Sequence, residues 1–438
     1  MSIPIHRSHI TTDQAKYIAK SLQLVPKKKF IPGKKGYDTD SSAMPMYYKD
    51  GDYVNIPYTF AKGYFNIKPE EKPSISGLQF LFTLRPEQEP KVLEAWEHIT
   101  TKGTTTLQLD TAYGKTIISV YLATLLSKLT LVIHPGQTLH KQWVKAFKEA
   151  TNASDTVWDI YKKQPENTCV IVSTVGMLSH IPQYLMDNIG TLIIDETHKM
   201  ISPSTLPGIL SIRPQYIIGS SYTYEKTDGT HEFMDMVLGL HRVKGKLDMI
   251  IHAIRLNTNF TYEVPRGKMG VDYTALIDLL VKNDERNKFI CNLVVSNIHR
   301  KIVVLTPRVD HAKLLSEMLN GMGIESDYIT GKKKKYQNSN VLVGSIGKIN
   351  TGFDEANYCE SFDGIPLNVL INVGSNTEHN LIVQIVGRLK RSKNVEPYLI
   401  DIVDDCSIFN RHAKERKKIY KEEGYKIYEI ENQIPVLP

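Results

Sequence analysis

The sequence predicts an α/β protein: two parallel sheets covered by helices, in series, behind a small N-terminal domain. Three observations predict it. Short apolar runs alternate with helical patterns from Leu78 onward. The alternation loosens after Gly229 and then resumes. A chain of 438 residues with ordinary globular composition suits two or three domains with sizeable cores.

Taken in order, residues 1–77 hold an amphipathic stretch near Thr12–Leu24, then turn-rich segments punctuated by Pro and Gly, with a boundary at Ser74–Gly77. The next series reads TLQL, TIISVYLATLL, LTLVIH, LHKQWVKAF, CVIVS, TLIID and QYIIGS. Strand–helix alternation of this kind argues a parallel sheet with helices on its faces. Asn257–Asp272 reads as a connection. The second series is ERNKFICNLVVSNI (helix), KIVVLT (strand), VDHAKLLSEMLN (helix), NVLVGS and LNVLINV (strands), NLIVQIVGRL (helix) and PYLIDIV (strand). A charged helix near Arg411–Glu422 and a strand, YKIYEIE, close the chain.

The net charge of +7 is unevenly spread: residues 1–77 carry twelve Lys/Arg against seven Asp/Glu. Aromatics interleave there: Phe30, Tyr37, Tyr47, Tyr48, Tyr53, Tyr58, Phe60, Tyr64 and Phe65. Basic charge attracts phosphate, and exposed aromatics stack on bases. The plainer reading, favoured for most single aromatics, is a small β-rich core with solvated lysines. Lys27–Lys29 and Lys34–Lys35 are the better candidates for backbone contact, whereas Lys332–Lys335 reads as solvated surface. Four scattered cysteines argue against a zinc or disulfide framework and fit a reducing compartment. No apolar run approaches the roughly 20 residues that span a bilayer, and the first residues lack the apolar core of a secretory signal. A cytoplasmic protein without a membrane partner is the expectation.

Three motifs carry the chemistry. Leu109–Thr116, LDTAYGKT, lies between a predicted strand and helix, where backbone N–H groups and a helix N-terminus cradle phosphates. Lys115 would reach the β- and γ-phosphates, and Thr116 would hold Mg²⁺. The strict pattern fails at Leu109, which stands where the first Gly belongs. TLIIDETH, Thr191–His198, is an apolar strand ending in Asp195-Glu196. The first carboxylate can hold Mg²⁺ through water, and the second can orient and deprotonate an attacking water. QIVGRLKR, Gln384–Arg391, lies in a predicted helix, with Arg388 and Arg391 three apart on one face. Guanidinium groups so placed can stabilise a transferring γ-phosphoryl group. Each motif alone has a bland reading: a chance turn, a solvated turn, a basic helix face. The three together do not.

These motifs resemble superfamily 2 helicases, over nearly all of Leu78–Asn432. The resemblance implies two tandem RecA-like domains, Leu78–Asn257 and Thr258–Pro438, behind an accessory domain of residues 1–77. It implies ATP and Mg²⁺ as cofactors and DNA as partner, with replication or transcription proteins as further partners. LRPEQ resembles the adenine-reading element, with Gln88 on adenine and Arg85 close by. Thr111, Ala112, Tyr113, Gly114, Lys115 and Thr116 would form the nucleotide loop, with Mg²⁺ at Thr116 and Asp195. Lys115, Glu196, Gln384, Arg388 and Arg391 would be catalytic. HPGQTLHKQW resembles motif Ia and STVGML motif Ib; VVLTPRVDHAKLL and GSIGKINTGFDE resemble motifs IV and V. These imply nucleic-acid contacts at Pro135, Gln137, Ser173, Thr174, Thr306, Arg308, Thr351 and Gly352. DETH resembles the DEAH-type motif II. GSSYTYEKTDG resembles motif III, so His198, Ser221 and Thr223 would couple hydrolysis to movement.

Two departures stand out. Ala112 replaces the usual motif I Gly, so that turn is expected to be rebuilt. Tyr222 and Tyr224 replace the usual Ala and Pro of motif III. L-R-P-x-Q, the x-Q-W of motif Ia and T-x-x-x-D-G point towards duplex-DNA translocases, and within them towards the viral and phage fork-remodelling group, including branch-migrating helicases of T5-like bacteriophages. Such an enzyme would unwind or branch-migrate forked DNA. The alternatives are a viral transcript-release helicase and a helicase-shaped scaffold with weak catalysis.

Overall fold

Most of the short apolar runs named above, such as TLIID and KIVVLT, become strands buried on both faces, which is how parallel sheets read when helices cover them. The computed structural model describes residues 1–24, 43–200, 205–222, 231–267, 270–349, 353–392 and 395–438. Its chain divides into two compact units, Met1–Lys246 and Leu247–Pro438.

The first unit is built on a seven-stranded parallel sheet in the order Val243–Gly245, Thr104–Leu109, Tyr216–Ser220, Thr191–Ile194, Thr130–Ile133, Val170–Ser173, Val157–Asp159. Two strands separate Thr104–Leu109 from its successor Thr130–Ile133, so the loops after the carboxyl ends gather around the gap. Ligands bind at such crevices in open α/β sheets.

Residues near the amino terminus form a three-stranded antiparallel sheet, Ser2–His6, Tyr53–Pro57 and Tyr48–Asp50, with the helix Thr12–Ser21. Thr11 and Gln14 close that helix with a reciprocal capping box. This segment does not keep a core of its own. Ile3, Ile5, Leu22, Ile56 and Tyr58 share one cluster with Leu131, Ile194 and Ile209. It docks near the amino ends of the large sheet's strands: Tyr58 Oη donates to Gln215 O at 2.6 Å, and Lys62 Nζ to Lys102 O at 2.8 Å. Tyr58 is buried, whereas Tyr17 and Tyr64 stack at 4.8 Å on the surface, against Phe60. Lys27–Lys29, Phe30, Lys34–Lys35 and Tyr37 lie outside the described residues.

The second unit repeats the plan with seven parallel strands: Ser326–Ile329, Val341–Ser345, Ile302–Thr306, Val369–Asn372, Tyr398–Asp405, His252–Thr261, Lys426–Glu431. The division between units falls before Leu247, ahead of the Asn257–Thr258 boundary read from the sequence, because His252–Thr261 belongs to this sheet. That strand, HAIRLNTNFT, carries polar residues that read as a connection. Pairing on both sides absorbs them: Arg255 Nη1 lies 2.5 Å from Glu429 Oε1, and Asn257 Nδ2 2.7 Å from Glu431 Oε1. Two buried ion pairs anchor flanking helices to the sheet, Arg286–Asp404 and Arg416–Asp401, each at 2.9 Å. The four cysteines are free thiols. Among the described residues no helix is long and apolar enough to cross a membrane.

Candidate active site

The strand Thr104–Leu109 hands over to the helix Lys115–Leu126 through residues 110–114, and the loop is pinned from one side by the LRPEQ element. Gln88 Nε2 donates to Tyr113 O at 3.0 Å, Arg85 Nη2 to Ala112 O at 3.2 Å, and Tyr113 Oη to Glu87 O at 2.6 Å. Gln88 Oε1 accepts the Arg85 N–H at 2.9 Å. Gln88 is therefore buried and engaged as a brace of the nucleotide loop. Gly114 is required twice over. Its φ is +92°, and a Cβ there would meet Gln88 Nε2 at 2.3 Å. Ala112 also sits at positive φ, +70°. The expected rebuilding does not occur: the loop keeps its left-handed turn with a Cβ on it, at a cost of about 1–2 kcal/mol.

Lys115 Nζ donates to the carbonyls of Leu109 (2.7 Å) and Asp110 (3.1 Å). Burial lowers its pKa, while Glu196, Asp195 and Asp110 act to raise it. Motifs I and II thus meet at one ammonium. Thr111 and Thr116 flank the loop, half-buried.

Asp195 follows the strand Thr191–Ile194, and its carboxylate is held on both oxygens. Trp143 Nε1 donates to Oδ2 at 2.8 Å, and Ser220 Oγ and the Glu196 N–H donate to Oδ1 at 2.7 and 3.0 Å. Glu196 itself turns the chain at φ +49°, ψ +52°. Such left-handed non-glycine positions concentrate at functional sites. The serine that reaches Asp195 is Ser220. Ser221, one residue on, is buried, and its N–H donates to Leu107 O at 3.2 Å. The parallel register, Ile194 opposite Gly219, explains the choice: it sets Asp195 beside Ser220. Thr223, Tyr224 and the His198 side chain lie outside the described residues. Trp143 was missed as a site residue, although the x-Q-W pattern had been read as a branch marker.

Pro135 and Gln137 are exposed beside the start of the helix Gln137–Ala150. Next to them His134 Nε2 lies 3.0 Å from His140 Nδ1, and His140 Nε2 lies 2.7 Å from Asp159 Oδ1. Burial pulls the His134 pKa down to about 4, with His140 adding to the drop. Thr174 is half-buried, but Ser173 is fully buried, its hydroxyl donating to Thr174 O at 3.0 Å.

In the second unit the α-helix His379–Val386 passes into a 3-10 helix, Gly387–Arg391, where the sequence suggested one continuous helix. Residues i and i+3 eclipse in a 3-10 helix, so Arg388 and Arg391 still share a face. Both tie to motif V. Arg388 Nη1 donates to Phe353 O, with its guanidinium 5.7 Å from the Phe353 ring centroid, and Arg391 Nη1 lies 3.2 Å from Asp354 Oδ1. Burial raises the Glu355 pKa, opposed by its Leu367 N–H bond and by Arg391. Gln384 Nε2 is buried with no hydrogen-bond partner among the described residues, a costly state for a donor. Thr306 is buried and donates to Arg308 O at 2.9 Å; Arg308 Nη2 pairs with Asp278 at 2.7 Å. Thr351 and Gly352 lie outside the described residues.

Among the described residues no group of three or more His, Cys, Asp or Glu could hold a metal ion. One carboxylate, Asp195, and one hydroxyl, Thr116, suit a Mg²⁺ that arrives with phosphates as its other ligands.

Residues 81–226 match the family model of the type III restriction enzyme res subunit. The chain is 27% identical to a protein of Invertebrate iridescent virus 6 named as a helicase (161L), over 84% of this chain and 88% of the relative. These matches support a superfamily 2 helicase. Protein L396 of Acanthamoeba polyphaga mimivirus, named as an ATP-dependent RNA helicase, is 26% identical over 97% of this chain and 84% of its own length. Protein D10 of Escherichia phage T5, named as a helicase, is 22% identical over 79% and 76%. The fold is similar to a fragment named as the HsdR subunit of a type I restriction enzyme from Vibrio vulnificus YJ016, at TM-score 0.57 and 15% identity, over 81% of this chain and 69% of that one. Two parallel seven-stranded sheets covered by helices match tandem RecA-like helicase domains. Helicase relatives imply use of ATP and of nucleic acid, and they do not decide between DNA and RNA.

Proposed function

We propose that this chain is an ATP-driven helicase that moves on DNA and remodels forked or branched structures. The observation that carries the ATPase reading is the convergence of Lys115, Asp195 and Glu196 at the carboxyl ends of two parallel strands of one sheet, with Tyr216–Ser220 between them.

In this reading Lys115 releases the Leu109 and Asp110 carbonyls and binds the β- and γ-phosphates. Bound Mg²⁺ supplies neutralisation of the phosphate charge as the γ-group leaves. Thr116 and Asp195 would hold it, Asp195 through water. Glu196 orients the attacking water and accepts its proton. Arg388 and Arg391 stabilise charge on the transferring group, and Gln384 Nε2 supplies a further donor. Gln88 and Arg85 brace the loop and face the base. Exposed Pro135 and Gln137 meet the strand's phosphates, so binding is weakly sequence-dependent and strongly salt-dependent.

The preference for DNA rests on x-Q-W and L-R-P-x-Q; a relative named as an RNA helicase makes RNA the arm to compare. The exposed Tyr17–Tyr64 stack supports a grip on nucleic acid by residues 1–77. The intact loop around Ala112 argues against an inactive scaffold. The test is the ATPase rate with single-stranded, duplex, forked and four-way DNA, and with RNA. Forked or four-way DNA should stimulate most. A rate indifferent to every nucleic acid at low salt defeats the motor reading, and stronger stimulation by RNA defeats the choice of DNA.

A further inference from the structure

Asp195 is held by a residue that no motif assignment gave a role. Trp143 lies on the helix Gln137–Ala150, fully buried, and its indole N–H reaches Asp195 Oδ2 at 2.8 Å. Ser220 and the Glu196 N–H take the other oxygen. The indole is a donor only, so it fixes one oxygen without competing for a proton. A hydrogen bond to a charged acceptor is also stronger than one between neutral groups.

The same helix begins at exposed Gln137, just after exposed Pro135. Six residues separate Gln137 from Trp143, a rise of about 9 Å along the axis. Between them His140 is clamped to His134 at 3.0 Å and to Asp159 at 2.7 Å. His140 and Trp143 are three apart, hence on one helical face. A short, doubly fastened rod therefore runs from the exposed loop to the carboxylate.

We infer that Trp143 is a positioning residue for Asp195, and that the helix Gln137–Ala150 conveys nucleic-acid binding at Pro135–Gln137 to that carboxylate. The inference rests on the proposed ATPase function, and it names the physical link between its two sites. A strand that shifts the helix start would shift the indole, and with it the plane of the carboxylate that would hold Mg²⁺.

The test uses the full chain and Trp143→Phe, which keeps a ring and removes the N–H. Turnover should fall about tenfold or more, the loss of one hydrogen bond to a charged group. The Mg²⁺ concentration for half-maximal rate should rise severalfold, while DNA affinity holds. The chain has three tryptophans, so three indole N–H resonances are expected, and Trp143→Phe identifies one by its loss. That resonance should shift in Asp195→Ala, and in the wild type with Mg²⁺ plus a non-hydrolysable ATP analogue and with single-stranded DNA alone.

A lower melting temperature with unchanged turnover and Mg²⁺ dependence makes Trp143 a packing residue and overturns the inference. A resonance blind to DNA removes the link between sites. If Trp143→Phe does not fold, Trp96→Phe and Trp158→Phe assign the resonance by elimination and the DNA titration decides. The ATPase reading fails separately, if the wild type neither binds nor hydrolyses ATP. Then even an Asp195-sensitive resonance leaves an ordinary buried hydrogen bond, and the inference falls with the reading.

Discussion

Asp195 and Arg388 are both nearly buried charges beyond the ends of parallel strands, yet they are held in opposite ways. Asp195 takes donors from three separate segments: Trp143, Ser220 and its own neighbour Glu196. Arg388 and Arg391 both reach the segment Phe353–Glu355, and Gln384 Nε2 in the helix before them has no hydrogen-bond partner among the described residues. Three-sided bracing fixes a group before any ligand arrives, and preorganised polar groups lose least free energy to reorganisation during reaction. A buried donor without a partner, such as Gln384 Nε2, is instead left available to a ligand. The first arrangement suits the metal-holding role proposed for Asp195, and the second suits a helix end with a donor to spare for the proposed phosphoryl group.

The largest expected effect breaks the comparison at its looser end. Arg388→Lys and Arg391→Lys should each lower turnover on the order of 10³-fold, because a point charge cannot replace the planar fork. The measurement is turnover at saturating ATP and saturating DNA. Recovery under those conditions would show that these arginines only bind DNA.

Glu196→Gln should lower turnover on the order of 10²-fold or more while ATP binding persists. Lys115→Ala should weaken ATP binding and turnover together. Equilibrium titration of a fluorescent ATP analogue separates the two. Near-normal hydrolysis by Glu196→Gln would reassign the base.

Acid should weaken both units. Burial holds His134 and His241 of the first unit at about 4, and His311 of the second at about 3. The unfolded chain takes these protons near pH 6.5, and the folded chain does not until much lower pH. Stability therefore falls as pH drops from about 6.5 to 4. Melting temperature against pH should show that slope, and His241→Asn should flatten it.

The smallest effect concerns the tighter region. Ala112→Gly removes a Cβ from a left-handed turn but adds unfolded-state entropy, for a net gain of about 1 kcal/mol or less. A slightly raised melting temperature is the expected reading. A fall would mean that the Ala112 methyl packs favourably enough to outweigh its backbone strain.

Much of the fold was legible. Strands such as TLIID and KIVVLT are continuous apolar runs, because both faces are covered by helices, and that pattern survives without neighbours. His252–Thr261 was not legible, since its Arg255 and Asn257 are tolerable only opposite Glu429 and Glu431, partners some 170 residues away. Short strands such as Ser326–Ile329, at a sheet edge and half polar, carry too little pattern to read. The break of the motif VI helix after Val386 had one local signal, Gly387 at its end.

The sequence by itself singled out the candidate residues, one lysine, two carboxylates and two arginines, and determined that each follows a strand or rides a helix. Those are local facts, set by residue type and spacing. Only the tertiary structure decided what holds them. It set Ser220 against Asp195 through strand register, turned Gln88 into a brace, kept Ala112 in a left-handed turn and aimed Trp143 at Asp195. Each depends on contacts between segments distant in the chain, where hydrogen-bond geometry is fixed by packing and not by the order of residues.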